Sequence, residues 1–199
     1  MGTIVISANA TLDGVVQDPT GDEGFRHGGW FEQIAEGDRA AWAKLETDEA
    51  LGAAALLMGG RSYEWFAERW ASRPGAWADR LRELPKYVVS GTVEDLPWVN
   101  STILTGEAVA AVRSLKHTID GEIVVYASFR LIQTLMEHDL VDEIRLTICP
   151  FVLGEGERVF REGGVTKALR LVDSRTLGDN LTFVSYRPTE TGSPNALRR

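Results

Sequence analysis

Three apolar runs in this chain end in small, hydroxylated or glycine residues. They are Met58-Gly59-Gly60-Arg61-Ser62-Tyr63, Val88-Val89-Ser90-Gly91-Thr92 and Val125-Tyr126-Ala127-Ser128-Phe129. If each run is a strand of an open α/β sheet, these ends lie where such sheets bind ligands, at the carboxyl edge. Together they suit a dinucleotide. Gly59 lets the backbone approach closely. Arg61 and Ser62 open a helix and supply charge and N-terminal amides. Ser90 and Thr92 can bond a phosphate or ribose, and Ser128 and Phe129 offer amides to a pyrophosphate. Each residue also has a plainer reading. Arg61 suits a surface position after a Gly-Gly turn, and Ser128 serves equally as a helix N-cap. Asp13, before Gly14, forms a turn, and as a candidate catalytic and substrate group it would orient substrate or a proton-relay water. Trp30 and Phe66 are core residues or the aromatic wall of a pocket for a flat heterocycle.

Other chemistries find little support. No G-x-G-x-x-G follows the first apolar run and no G-x-x-x-x-G-K-[ST] occurs, so neither nucleotide fingerprint is met. His27 has no second histidine nearby, so no metal site is expected. Asp142 and Glu143 are adjacent on a strand and face opposite sides, so they cannot act on one group. Cys149, the one cysteine, reads as a packed, inert thiol. No Ser-His-Asp or Cys-His arrangement assembles.

The elements that must carry these residues follow from periodicity. Strands are expected at Thr3–Ala8, Ala53–Met58, Lys86–Ser90, Ser101–Leu104, Ile123–Tyr126 and Glu143–Cys149, with a final pair at Leu169–Ser174 and Leu181–Tyr186. Gly178-Asp179 between the last two marks an antiparallel hairpin. Helices are expected at Asp38–Leu51, Arg61–Trp70, Gly106–His117 and after Ser128, where Leu131, Ile132, Leu135 and Met136 share a face; a short helix falls within Pro74–Leu84. Asp18–Trp30 is rich in Gly, Asp and Pro and reads as a long loop of the lid or binding type.

The chain of 199 residues, 44% hydrophobic and 25% charged, suits one α/β domain over residues 1–187 with a flexible tail at 188–199. A net charge of -8 argues against nucleic acid or an anionic membrane as partner. A single cysteine permits no internal disulfide and fits a reducing cytoplasm. No secretory signal or membrane-length apolar window is seen, so a cytoplasmic protein is expected.

Four stretches carry a family resemblance: Thr11–Val15 (T-L-D-G-V), Leu56–Glu64 (L-L-M-G-G-R-S-Y-E), Pro85–Ser90 (P-K-Y-V-V-S) and His138–Phe160 with its L-V-D-E…P…L-G-x-G…F block. In this order they resemble the dihydrofolate-reductase-like superfamily. More narrowly they are similar to the reductase domain of the bifunctional riboflavin-biosynthesis deaminase-reductase. The resemblance implies a three-layer fold whose mostly parallel central sheet has about eight strands and ends in an antiparallel pair. It also implies NADPH as hydride donor, with NADH admitted, a homodimer, and a small heterocyclic substrate. The implied activity resembles that of 5-amino-6-(5-phosphoribosylamino)uracil reductase. Carried over by position, Gly59, Arg61 and Ser62 face the adenosine and phosphate side and Ser90 lies near the 2′-phosphate. Ala127, Ser128 and Phe129 underlie the pyrophosphate. Asp13 and Gly14 lie beside nicotinamide and substrate. Ala127 stands where the family usually has glycine, and Gly91 where it usually has a basic residue. The zinc-deaminase motifs H-x-E and P-C-x-x-C do not occur, so a lone reductase domain is expected. The alternatives are a non-catalytic nucleotide- or drug-binding protein, a dihydrofolate reductase, or a flavin user on the same sheet.

Overall fold

A computed structural model of the protein describes residues 1–189. Its elements in order are β1 (Thr3–Thr11), a 3-10 turn (Phe31–Gln33), α1 (Glu36–Gly52), β2 (Ala53–Gly59), α2 (Gly60–Trp70), α3 (Ala76–Glu83), β3 (Lys86–Val89), β4 (Ser101–Leu104), α4 (Ala108–Thr118), β5 (Glu122–Tyr126), α5 (Phe129–Glu137), β6 (Glu143–Cys149), β7 (Leu169–Leu177) and β8 (Leu181–Pro188). The strands form one sheet in the order β4-β3-β2-β5-β1-β6-β8-β7. The pairs β3/β4, β2/β3, β2/β5 and β1/β5 are parallel, and β6/β8 and β7/β8 are antiparallel. This is the mostly parallel sheet with an antiparallel C-terminal pair that the sequence predicts.

By contacts the chain forms two compact units. One comprises Met1–Ser7 and Leu45–Asp142, the other Ala8–Lys44 and the chain from Glu143. The core of the first gathers Leu56, Met58, Leu81, Val88, Val124 and Trp98, all buried. Their strands are continuous apolar runs because parallel strands are covered on both faces. Lys86 is wholly buried here. Its Nζ donates to the carbonyls of Leu81 (2.6 Å) and Leu84 (2.7 Å) and lies 4.6 Å from the Trp98 ring centroid. These acceptors close the last turn of α3. Burial pushes the Lys86 pKa down to about 8. The second unit packs Trp30, Phe31, Ile34, Cys149 and Leu181 together.

Several boundaries differ from expectation for identifiable reasons. β1 runs on to Thr11 because its polar end is satisfied internally: the Asn9 side chain accepts from Trp42 Nε1 at 2.9 Å, and Thr11 is 1% exposed. β7 and β8 are longer than their apolar runs. The hairpin between them is held by Asp38, whose carboxylate accepts the Asp179 and Asn180 amides at 2.7 and 3.1 Å. Pro188 closes β8, and the Thr189 amide donates to the Ala168 carbonyl at 3.0 Å. Of the expected tail, residues 190–199 lie outside the described residues.

Candidate functional site

β2 and β5 are adjacent and parallel, and each turns directly into a helix. α2 begins at Gly60 and α5 at Phe129. Neither start has a side-chain cap, and neither first turn carries an acidic residue. A helix start leaves its first amides without intrahelical partners and carries the positive end of the dipole. Arg61 and Arg130, the second residues of the two helices, are both exposed. Helix starts of this kind are where anions commonly bind in proteins.

Ser128 locks the two starts together. Its hydroxyl oxygen accepts the Gly59 amide at 3.0 Å, and its own amide donates to the Ser62 hydroxyl at 2.9 Å. This corrects two expectations. The Ser128 side chain does not cap α5, because it is spent on Gly59. Nor is the Ser128 amide left for a pyrophosphate, because it donates to the Ser62 hydroxyl. Ser128 (φ 59°) and Ala127 (φ 47°) both hold the left-handed conformation. It strains a residue with a Cβ by about 1–2 kcal/mol, and such strain concentrates at functional sites. Ala127→Gly is therefore expected to raise unfolding free energy by about 1 kcal/mol. Urea denaturation of the two proteins checks this.

The glycine that close packing demands is Gly60, not Gly59. A Cβ on Gly60 would stand 2.6 Å from the Ser90 Oγ and 2.9 Å from the Val93 Cγ2, whereas one on Gly59 would meet nothing nearer than 3.9 Å. Ser90 itself accepts the Thr92 and Val93 amides at 3.1 and 3.0 Å, winding the turn after β3 against the start of α2. Gly59, Arg61, Ser62, Ser90, Ala127, Ser128 and Phe129 thus gather at neighbouring strand ends of one unit. Phe66 belongs to the same unit but to its core. It is 7% exposed and stacks on Tyr126 with centroids 6.2 Å apart and planes at 17°. Tyr126, which sequence reasoning passed over, keeps its phenol proton: burial, then the charges of Glu49 and Glu46, push its pKa well above the ordinary value. Glu46 and Glu49 stand three residues apart on α1, a spacing visible in the sequence but tied to Tyr126 only by the fold.

Asp13 and Trp30 belong to the second unit. The Asp13 carboxylate accepts the Thr11 hydroxyl at 2.6 Å and the Leu153 and Gly154 amides at 3.3 and 2.8 Å. Burial opposes its charge, but the bonds from Thr11, Gly154 and Leu153 outweigh it and hold the carboxyl below the usual range. The carboxylate thereby joins the Asp13-Gly14 turn to the Leu153-Gly154 loop. Trp30 is 1% exposed, and its indole donates to the Gln17 carbonyl at 2.9 Å. It is packed into the core of its unit. The Asp18–Trp30 loop is wound on Asp18, whose carboxylate accepts the Glu23 and Phe25 amides, each at 3.0 Å. Burial, with the Asp38 charge, pushes the Cys149 thiol up to about 12, so it stays an inert thiol. Among the described residues no group of His, Cys, Asp and Glu is placed to hold a metal, and no helix is long and apolar enough to cross a membrane.

Known proteins share this arrangement of elements. A structure described as a putative riboflavin biosynthesis protein, from Shewanella sp. PV-4, superposes with a TM-score of 0.69 at 20% identity, covering 94% of this chain and 99% of that one. A pyrimidine reductase-like protein of Corynebacterium diphtheriae gives a TM-score of 0.62 at 12% identity, covering 94% and 92%. A diaminohydroxyphosphoribosylaminopyrimidine deaminase/5-amino-6-(5-phosphoribosylamino)uracil reductase of Thermotoga maritima gives 0.61 at 16% identity, covering 94% of this chain and 57% of that one. These likenesses show the fold. The uncharacterized protein YyaP of Bacillus subtilis (strain 168) is 33% identical over 102 residues, 51% of this chain, so the match spans about half (53%) of that relative's length. The sequence profile of the RibD C-terminal domain matches residues 2–183. That span is nearly the whole chain, and the protein belongs to the RibD C-terminal domain family.

Proposed function

We propose that the protein is a reductase that uses a nicotinamide dinucleotide, NADPH or NADH, to reduce a small heterocyclic substrate. The activity named for the Thermotoga maritima relative, 5-amino-6-(5-phosphoribosylamino)uracil reductase, is the nearest chemical pattern. One observation carries the reading: the uncapped starts of α2 and α5 are bolted side by side through Ser128. That arrangement suits a diphosphate, whose charges need several amides and a dipole rather than one cation. The bound dinucleotide would supply hydride; the chain supplies position and a site sheltered from water. Arg61 and Arg130 attract the diphosphate, the left-handed turn at Ala127 and Ser128 brings the backbone under it, and the adenosine half extends toward Ser90. The role of Asp13 is positional, fixing the Leu153-Gly154 loop.

The assembly we propose is a homodimer. An uncharged face of the antiparallel strands supports it: Leu146 lies opposite Val184 and Leu171 opposite Tyr186, and all four are at least partly exposed. The functional reading is tested by a thermal-shift panel of NADPH, NADH, FMN and folate. A dinucleotide at 100 times its Kd stabilises by about 2.7 kcal/mol, so NADPH or NADH should raise the melting temperature clearly and FMN and folate should not. Stabilisation by FMN or folate alone would overturn the assignment.

A further inference from the structure

The dinucleotide reading above puts the adenosine half over the turn after β3, and that turn has no lysine or arginine of its own. Val89, the last residue of β3, is in register with Gly59, so the turn borders the start of α2 directly. Ser90 spends two acceptor positions on the Thr92 and Val93 amides, leaving its hydroxyl proton for a ligand or for Thr92. The chain then follows α2, with Val93 against Gly60, while Asp95 and Pro97 border a cavity of about 300 Å³ with Tyr63 and Glu64. No lysine or arginine occurs between Lys86 and Arg113. Lys86 cannot serve, since it is wholly buried and its ammonium is directed at the carbonyls of Leu81 and Leu84. Exposed carboxylates stand here instead: Glu94 and Asp95 end the turn in the chain, and Glu64 borders the cavity beside Asp95. Arg61 stands at the second position of α2, by the helix start that serves the diphosphate.

We infer that the Ser90–Asp95 turn selects a dinucleotide with a free 2′-hydroxyl and disfavours one with a 2′-phosphate, so that NADH is the better ligand. A ribose diol brings donors to hydroxyls and carboxylates. A 2′-phosphate brings a near-dianion to a turn with one hydroxyl proton and three nearby like charges. Arg61 then acts on the diphosphate, which both forms share.

The test is titration of the full-length protein with NADH and with NADPH, followed by quenching of tryptophan fluorescence. NADH should bind roughly tenfold or more tightly than NADPH. Glu94→Lys combined with Asp95→Lys should close or reverse that ratio, and Arg61→Ala should weaken both forms by the same factor. Tighter NADPH binding by the unaltered protein, or loss of NADPH alone in Arg61→Ala, would overturn the inference and leave the dinucleotide reading standing. If neither form binds, that reading falls and the inference with it.

Discussion

Ser128→Asp is expected to lower dinucleotide affinity about 100-fold while the protein stays folded. Aspartate tolerates the left-handed conformation that Ser128 holds, and its carboxylate can still accept the Gly59 amide. A negative charge at the start of α5 also suits the helix dipole, so thermal stability should be kept or slightly raised. The same charge stands where the diphosphate would lie. Two unit charges about 4 Å apart near a protein surface repel by about 4 kcal/mol, and a loss of about 2.7 kcal/mol is already 100-fold. Ser128→Asn, of the same shape and uncharged, should keep affinity within a few-fold. Fluorescence titration beside thermal denaturation separates the outcomes. If the aspartate variant binds normally, no anion sits at this turn.

A second large effect is expected in the other unit. Glu143 is 4% exposed on β6. It accepts from Arg145 Nε at 2.8 Å, from the Ser185 hydroxyl at 2.9 Å, and from Arg187 Nε and Nη2 at 2.9 and 2.7 Å. Glu143→Ala leaves Arg145, which is largely buried, without this partner and removes one side of a two-strand brace. The expected cost is about 3 kcal/mol, the low end for breaking a buried ion pair, because the Arg187 side chain is half in water (51%). Burial works to raise the Glu143 pKa, but bonds from Arg145, Arg187 and Ser185 outweigh it, so the folded value lies below the usual range. A carboxyl depressed in the folded state binds its proton more readily when unfolded. Its stabilisation is therefore full above the unfolded value near 4.5 and fades as pH falls through the folded one. Denaturation of parent and variant at pH 7 and pH 3 should show the gap narrowing in acid.

Residues close together in the chain made themselves readable. β4 and β6 occupy the expected spans, Ser101–Leu104 and Glu143–Cys149, because short apolar or alternating runs bounded by polar residues leave little choice. The turns from β2 into α2 and from β5 into α5 were legible for a similar reason, since small residues after an apolar run mark a turn into a helix. What lay hidden depends on pairing across the chain. Nothing near Ser128 announces that its hydroxyl serves Gly59, 69 residues away. Nothing near Glu143 names Ser185 or Arg187, 42 and 44 residues distant. Asp13 reads as a turn-former before Gly14, and its donors Leu153 and Gly154 come from the far end of the sequence. Gly59 and Gly60 are indistinguishable as letters; only the approach of Ser90 shows which one cannot carry a Cβ. Trp30 reads as a pocket wall or as core with equal ease, and burial decides for core.

Backbone amide exchange, followed peptide by peptide with and without saturating NADH, bears most directly on the central claim. If the starts of α2 and α5 together grip a dinucleotide diphosphate, peptides covering residues 59–64 and 126–132 should gain the strongest protection. Protection elsewhere with these two segments unchanged would contradict it.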